Sequence, residues 1–273
     1  MGAAVAEVDS GTARGSTRYW NRIVDAWNQR HADTVWRAHS DAVNSRLLAR
    51  WLPAGPIRRV LKTDLFDEAV AEGVYPILQD RAGSVLGIDI SPKVVDAARA
   101  RYPRLSAVPA DVSLLPFKEG EFDAIVSIST LDHFDSRDKI SAALGQLYRV
   151  LAPGGTLIVT LDNGSNPIVA FRNLLPYPLL RSLHMVPYQM GATCTSKGFL
   201  RLLRSYSFEI RDVSYTIHCP RLAAAVSSRI VQQFGSAQSS ASFLRGLGKL
   251  EGLDRLPTRA LTGHYIAALA KKR

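Results

Sequence analysis

What this 273-residue chain has little of narrows its class before any motif is read. It has two cysteines, Cys194 and Cys219, which offer neither a disulfide framework nor metal-ligand spacing, so a reducing compartment and no metal site are expected. It has no uninterrupted apolar run long enough to cross a bilayer. Between Met1 and Thr17 there is no apolar segment joining a basic start to a cleavage site. No signal peptide is therefore expected, and the protein is expected to be cytoplasmic. The Ala, Gly, Ser and Thr of that stretch read as a disordered tail over 1–17. Basic and aromatic residues are not interleaved in the manner that stacks bases, which leaves nucleic acid a minor reading.

What is present is a globular composition, 47% apolar and 21% charged, in a length that suits one large α/β domain. The net charge of +10 is unevenly spread, since residues 197–273 hold 13 Lys/Arg against 4 Asp/Glu. Such a quarter serves solubility, or offers an anionic surface or a partner protein a peripheral contact.

Helical spacing of Trp20, Ile23, Val24 and Trp27, and of Val43, Leu47, Leu48 and Trp51, predicts two N-terminal helices within 18–56. All four tryptophans fall in this segment and read as packing residues. From 57 onward strands alternate with helices. Strands are expected at 59–61, 84–90, 105–108, 123–128 and 156–161, and helices after Ser91-Pro92 and over 140–151. Pro153-Gly154-Gly155 reads as a tight stop between helix and strand. Alternation of this kind implies parallel strands with crossover helices, a doubly wound sheet.

Four motifs then stand in order: Gly87-Ile88-Asp89-Ile90-Ser91, Ala110-Asp111-Val112 with Leu115-Pro116-Phe117, Glu121-Phe122-Asp123, and Arg149 to Gly155. Together they resemble the class I S-adenosylmethionine-dependent methyltransferases over roughly 57–161. The resemblance implies a Rossmann-like seven-stranded sheet over 57–273, closed by an antiparallel pair near 208–218 and 265–270. It also implies S-adenosylmethionine as cofactor and S-adenosylhomocysteine as product. Asp89 and Ile90, ending the second strand, would meet the ribose. The alternative for Asp89 is an acid capping the next helix. Asp111 and Val112 would take the adenine, or Asp111 serves its own turn. Ser129, after the fourth strand, would complete the cofactor wall.

The family's glycine-rich loop after strand one is missing: Leu61-Lys62-Thr63-Asp64-Leu65-Phe66 has no glycine until Gly73. Residues with a Cβ resist positive φ, and Leu65 and Phe66 are expected to occupy space that the methionine end of the cofactor would use. In a rebuilt loop, Lys62 would pair with the cofactor carboxylate while Thr63 and Asp64 hold its ammonium.

On the acceptor side, Asp132 and His133 follow strand four, and His133 is the side chain best suited to move a proton near neutral pH, or else it fixes its loop. Asp162 and Asn163 end strand five in a polar turn. An insert over 168–191, carrying Arg172 and Tyr188, reads as a lid or as a helical hairpin completing the core. His218 follows strand six and reads as structural or as facing the same cavity. The expected activity is O- or N-methylation of a small-molecule or lipid-like biosynthetic acceptor. The alternatives are a cyclase or isomerase on the same fold, and a non-catalytic partner of a biosynthetic enzyme.

Overall fold

The computed structural model describes residues 13–29, 33–176 and 191–273. Seven strands form one sheet in the order β3-β2-β1-β4-β5-β7-β6. The strands are β1 (Ile57–Thr63), β2 (Ala82–Asp89), β3 (Ser106–Pro109), β4 (Phe122–Ser127), β5 (Leu151–Asp162), β6 (Phe208–Thr216) and β7 (Tyr265–Lys272). Neighbours from β3 to β5 are parallel, and β7 runs antiparallel to both β5 and β6. The central strands read as near-continuous apolar runs because both faces of the sheet are covered.

Side-chain alternation divides the core in two. Val60, Val126 and Ile158 face one cluster, which takes in Leu48, Trp51, Leu78, Val94 and Ala98 from the helices on that side. Leu61, Ile125 and Leu157 face the other, with Leu144, Leu147, Phe199 and Leu203. Helix α5 (Pro92–Arg101) starts where expected, with the Ser91 hydroxyl accepting from the Val94 N–H at 3.3 Å and Pro92 in the first turn. Helix α6 (Arg137–Val150) begins before its first buried residue, because Ser136 accepts from the Lys139 N–H and so caps a polar first turn.

Two expectations change. Helix α1 (Ala13–Gln29) takes in the last residues of the expected tail, and residues 1–12 lie outside the described residues. Pro153-Gly154-Gly155 is not a stop but the irregular start of β5, which pairs with β4 from Leu151 onward through a register shift. The second N-terminal helix, α2 (Thr34–Trp51), is held to β6 by Trp51 Nε1 donating to Asp212 at 2.8 Å.

Candidate functional site

A cavity of about 330 Å³ opens at the carboxyl ends of β1, β2 and β3, beside the change in strand order. That is where open α/β sheets take their ligands, since loops there diverge to opposite faces. Its wall includes Thr63, Asp64, Phe66, Asp89, Ile90, Asp111, Val112, Thr130 and His133.

The glycine-free loop is built by Asp64. Its φ is +73°, the left-handed conformation, and its Oδ1 accepts from the Phe66 N–H at 2.9 Å. Asp tolerates that conformation because a short polar side chain can bond its own backbone there. The expectation that Cβ-bearing residues here would resist positive φ is therefore corrected at Asp64. So is the expectation for Leu65. It is fully buried against β2, and a Cβ added at Gly87 would lie 2.6 Å from its Cδ2. Leu65 fills the space beneath the loop, while Phe66 lines the cavity.

Lys62 does not reach the cavity wall. Adjacent strand residues point to opposite faces, and with Thr63 in the wall the Lys62 ammonium turns the other way, onto buried Glu68 at 2.8 Å and the Asp64 carbonyl. Burial pushes the Lys62 ammonium down, but the carboxylates of Glu68, Asp64 and Asp67 together more than offset this and raise it. Glu68 in turn accepts from the N–H groups of Val74 and Tyr75. Thr63 Oγ1 bonds Ser127 Oγ at 2.9 Å and Thr130 Oγ1 at 2.8 Å, a hydroxyl chain along the cavity floor.

Asp89 ties two loops together. Oδ2 accepts from the Leu65 N–H at 3.0 Å and Oδ1 from the Ser91 N–H at 2.8 Å. It is thus the turn acid of one sequence reading, and it also stands in the cavity wall, as the other requires. Burial raises its carboxyl above the usual range, and those two N–H groups pull it partly back. Asp64 lies well above the usual range, through burial first and the charge of Asp89 second. Asp111 accepts from the Ser113 N–H and hydroxyl, at 2.8 and 2.7 Å, both on Oδ1.

The structure brings together Thr63, Asp64, Asp89, Ile90, Asp111, Val112 and His133. Ser129 is outside that wall. Its backbone is left-handed (φ +54°), and its N–H bonds Thr160 Oγ1. Asp132 is buried behind His133, and burial raises its carboxyl.

The remaining expected acceptor residues form a separate polar knot. Asp162 pairs with Arg172 at 2.5 Å and with His264 at 3.4 Å, and Arg221 Nη1 lies 3.2 Å from His264 Nε2. Burial works against the Asp162 charge, but its bonds to His264 and the nearby Arg172 hold it well below the usual carboxylate range. Burial likewise pushes His264 down. Asn163 donates to the carbonyls of Ala260 and Gly263 and accepts from Ser165 and Ser196. His218 donates from Nε2 to the Tyr215 carbonyl and bonds Thr262 through Nδ1. None of these lines the cavity. Tyr188, like residues 177–190 of the expected insert, lies outside the described residues, and helix α7 (Pro167–Leu174) carries Arg172.

Sequence reasoning missed Trp20, Phe134 and Lys139 in the wall. Trp20 reaches it from α1 and meets His133 edge-on, with ring centroids 4.6 Å apart. Its only signal was its place in the apolar stripe Trp20, Ile23, Val24 and Trp27, which sequence alone reads as packing.

Comparison with known proteins agrees with this geometry. Residues 69–159 match a family model described as a methyltransferase domain. The demethylmenaquinone methyltransferase of Thermus thermophilus is 40% identical over 89 residues, 30% of this chain and 39% of that one. That of Streptomyces avermitilis is 30% identical over 153 residues, 55% of this chain and 58% of that one. The matches thus span less than two thirds of these relatives' lengths. In fold, a S-adenosylmethionine-dependent methyltransferase of Thermotoga maritima superposes with a TM-score of 0.60 at 15% identity, covering 94% of this chain and 99% of that one. Strand order, motif positions and matched segment thus agree on a methyltransferase domain over residues 69–159, in a chain whose fold is similar to that of S-adenosylmethionine-dependent methyltransferases.

Proposed function

We propose that the protein binds S-adenosylmethionine in the cavity at β1–β3 and transfers its methyl group to a small-molecule or lipid-like acceptor, at oxygen or nitrogen. The observation that carries this reading is the left-handed turn at Asp64, which takes the first loop along the wall of an open cavity without a glycine.

The wall suits the cofactor's chemistry. Asp89 offers its carboxylate to the ribose hydroxyls while its N–H bonds keep the two loops in register. Asp111 has its backbone and hydroxyl bonds gathered on one oxygen, and with Val112 it suits an adenine edge. Asp64, Thr63 and Thr130 suit a cationic ammonium and sulfonium, since carboxylate and hydroxyl oxygens accept from or face positive charge. When bound, the cofactor supplies an electrophilic methyl group.

The protein's part is alignment and removal of a proton from the acceptor. His133 stands in the wall beside Trp20 and is the residue placed to take that proton, with the raised Asp132 carboxyl buried behind it. Demethylmenaquinone, named for two relatives, supports a lipid-like acceptor. The knot at Asp162 lies outside the cavity wall and joins elements rather than touching the acceptor.

The test is transfer of labelled methyl from S-adenosylmethionine to a panel of quinol, phenol and amine acceptors. Labelled product lost in His133→Ala, with cofactor affinity kept, supports the reading. If the cofactor binds but no acceptor is labelled, a cyclase or isomerase role takes its place. If the cofactor does not bind, the role as partner of another enzyme takes its place.

A further inference from the structure

Helices α9 (Arg221–Phe234) and α10 (Ala237–Leu250) fill the connection between β6 and β7. Antiparallel neighbours can be joined by a two-residue turn, so these helices are not needed to close the sheet.

One side of α9 is anchored. Ala224 and Ser228 are buried, and the Ser228 hydroxyl donates to Asp33 at 2.7 Å. The other side carries Leu222, Val226, Ile230 and Phe234 in steps of four, exposed by 42, 47, 55 and 76%. Steps of four place them in one stripe along the helix, with exposure rising toward Phe234. Helix α7 presents a second such face, with Ile168, Phe171 and Leu174 exposed by 62, 62 and 81%. Arg172 of α7 and Arg221 of α9 both reach His264 Nε2, at 3.5 and 3.2 Å, which holds α7 and the start of α9 side by side.

Within the two helices the charge has one sign. Residues 221–250 hold Arg221, Arg229, Arg245 and Lys249 and no Asp or Glu. Arg229 pairs with Asp33 at 3.4 Å and Arg221 turns to His264, which leaves Arg245 and Lys249 as the basic residues that no acid among the described residues offsets.

We propose that this face docks on an anionic lipid bilayer, with the α9 stripe in the interface and the α7 face alongside it. An apolar stripe flanked by basic residues is the form of a helix that lies in the plane of a membrane surface. Anionic headgroups complement the acid-free span electrostatically. A second copy fits the face less well, since a two-fold contact would bring the same basic residues against one another. Among the described residues no helix is long and apolar enough to cross a membrane, so the contact is peripheral. The proposal concerns where the protein works and stands or falls independently of its acceptor.

The test is flotation of the full chain with phosphatidylcholine vesicles, with or without roughly a third phosphatidylglycerol. Binding is expected only to the anionic vesicles and declines with salt. The double variant Ile230→Glu/Phe234→Glu is expected to lower binding about tenfold or more, with the circular dichroism spectrum unchanged. Arg245→Glu/Lys249→Glu, on a different helix, is expected to lower it too, which guards against a folding defect in the first variant. Failure to float, equal binding to neutral vesicles, or double variants that bind like the parent would each overturn the proposal. So would a lipid-free dimer that Ile230→Glu/Phe234→Glu dissociates, which would assign the face to a second copy.

Discussion

The carboxyl ends of β1–β3 and of β5 both carry clustered polar residues, yet they are built on opposite plans. Around the cavity, Asp64, Asp89 and Asp111 accept from backbone N–H groups of the cavity loops and still face open space. At the end of β5, Asp162 and Asn163 are bonded to side chains and carbonyls of α7 and the segment before β7, and they face no cavity. The first plan leaves acceptor capacity for a ligand; the second uses it to join elements. Polar residues at a strand end therefore mark a site only where their bonds leave them facing open space.

The largest effect that would break this comparison lies in the closed region. Asp162→Ala leaves the positive charge of Arg172 buried without its partner, and should lower unfolding free energy by about 3–5 kcal/mol. Because Asp162 is outside the cavity, affinity for S-adenosylmethionine should stay within about twofold of the parent. Denaturant unfolding and calorimetric titration check the two halves. A large loss of affinity at unchanged stability would place Asp162 in the site.

In the open region the order reverses. Asp89→Ala should weaken cofactor affinity by about 1–3 kcal/mol through lost hydrogen bonds. Some stability will go with it, because the N–H groups of Leu65 and Ser91 lose their acceptor. Affinity unchanged in a folded variant would leave Asp89 as a turn acid alone.

A smaller effect concerns the backbone at Asp64. Asp64→Ala must hold a left-handed turn without the local side-chain bond, at about 1 kcal/mol, whereas Asp64→Gly relieves the strain and should be the more stable of the two. Thermal melts compare them directly.

Finally, pH should separate two ligands that differ in charge. Asp64 and Asp89 are raised by burial, so their protonated forms stabilise the fold at low pH and that contribution falls as pH rises. A cationic sulfonium prefers the ionised acids. Affinity for S-adenosylmethionine should therefore rise with pH more steeply than affinity for S-adenosylhomocysteine, which lacks that charge. Parallel profiles would mean that neither acid faces the sulfonium.

Much of the fold was legible because buried parallel strands announce themselves as apolar runs and Ser91-Pro92 sets a helix start by local chemistry, whereas the polar first turn capped by Ser136 carried no apolar signal. The cavity's acids were legible for a related reason, since Asp89 and Asp111 sit directly at strand ends. What sequence could not give was direction. Lys62 and Thr63 are adjacent, and which of them faces the cavity depends on the strand's register in the sheet. Trp20 enters the wall from a helix distant in sequence, and Arg172 turns toward Asp162 rather than the cavity, both settled by tertiary packing.

The central claim is that a loop without glycine, held open by Asp64, still serves the cofactor cavity. Isothermal titration of the full chain with S-adenosylmethionine tests it most directly. One site per chain is predicted, weakened about tenfold or more by Asp89→Ala while circular dichroism shows the fold retained. No binding by the folded parent protein, to S-adenosylmethionine or to S-adenosylhomocysteine, would contradict it.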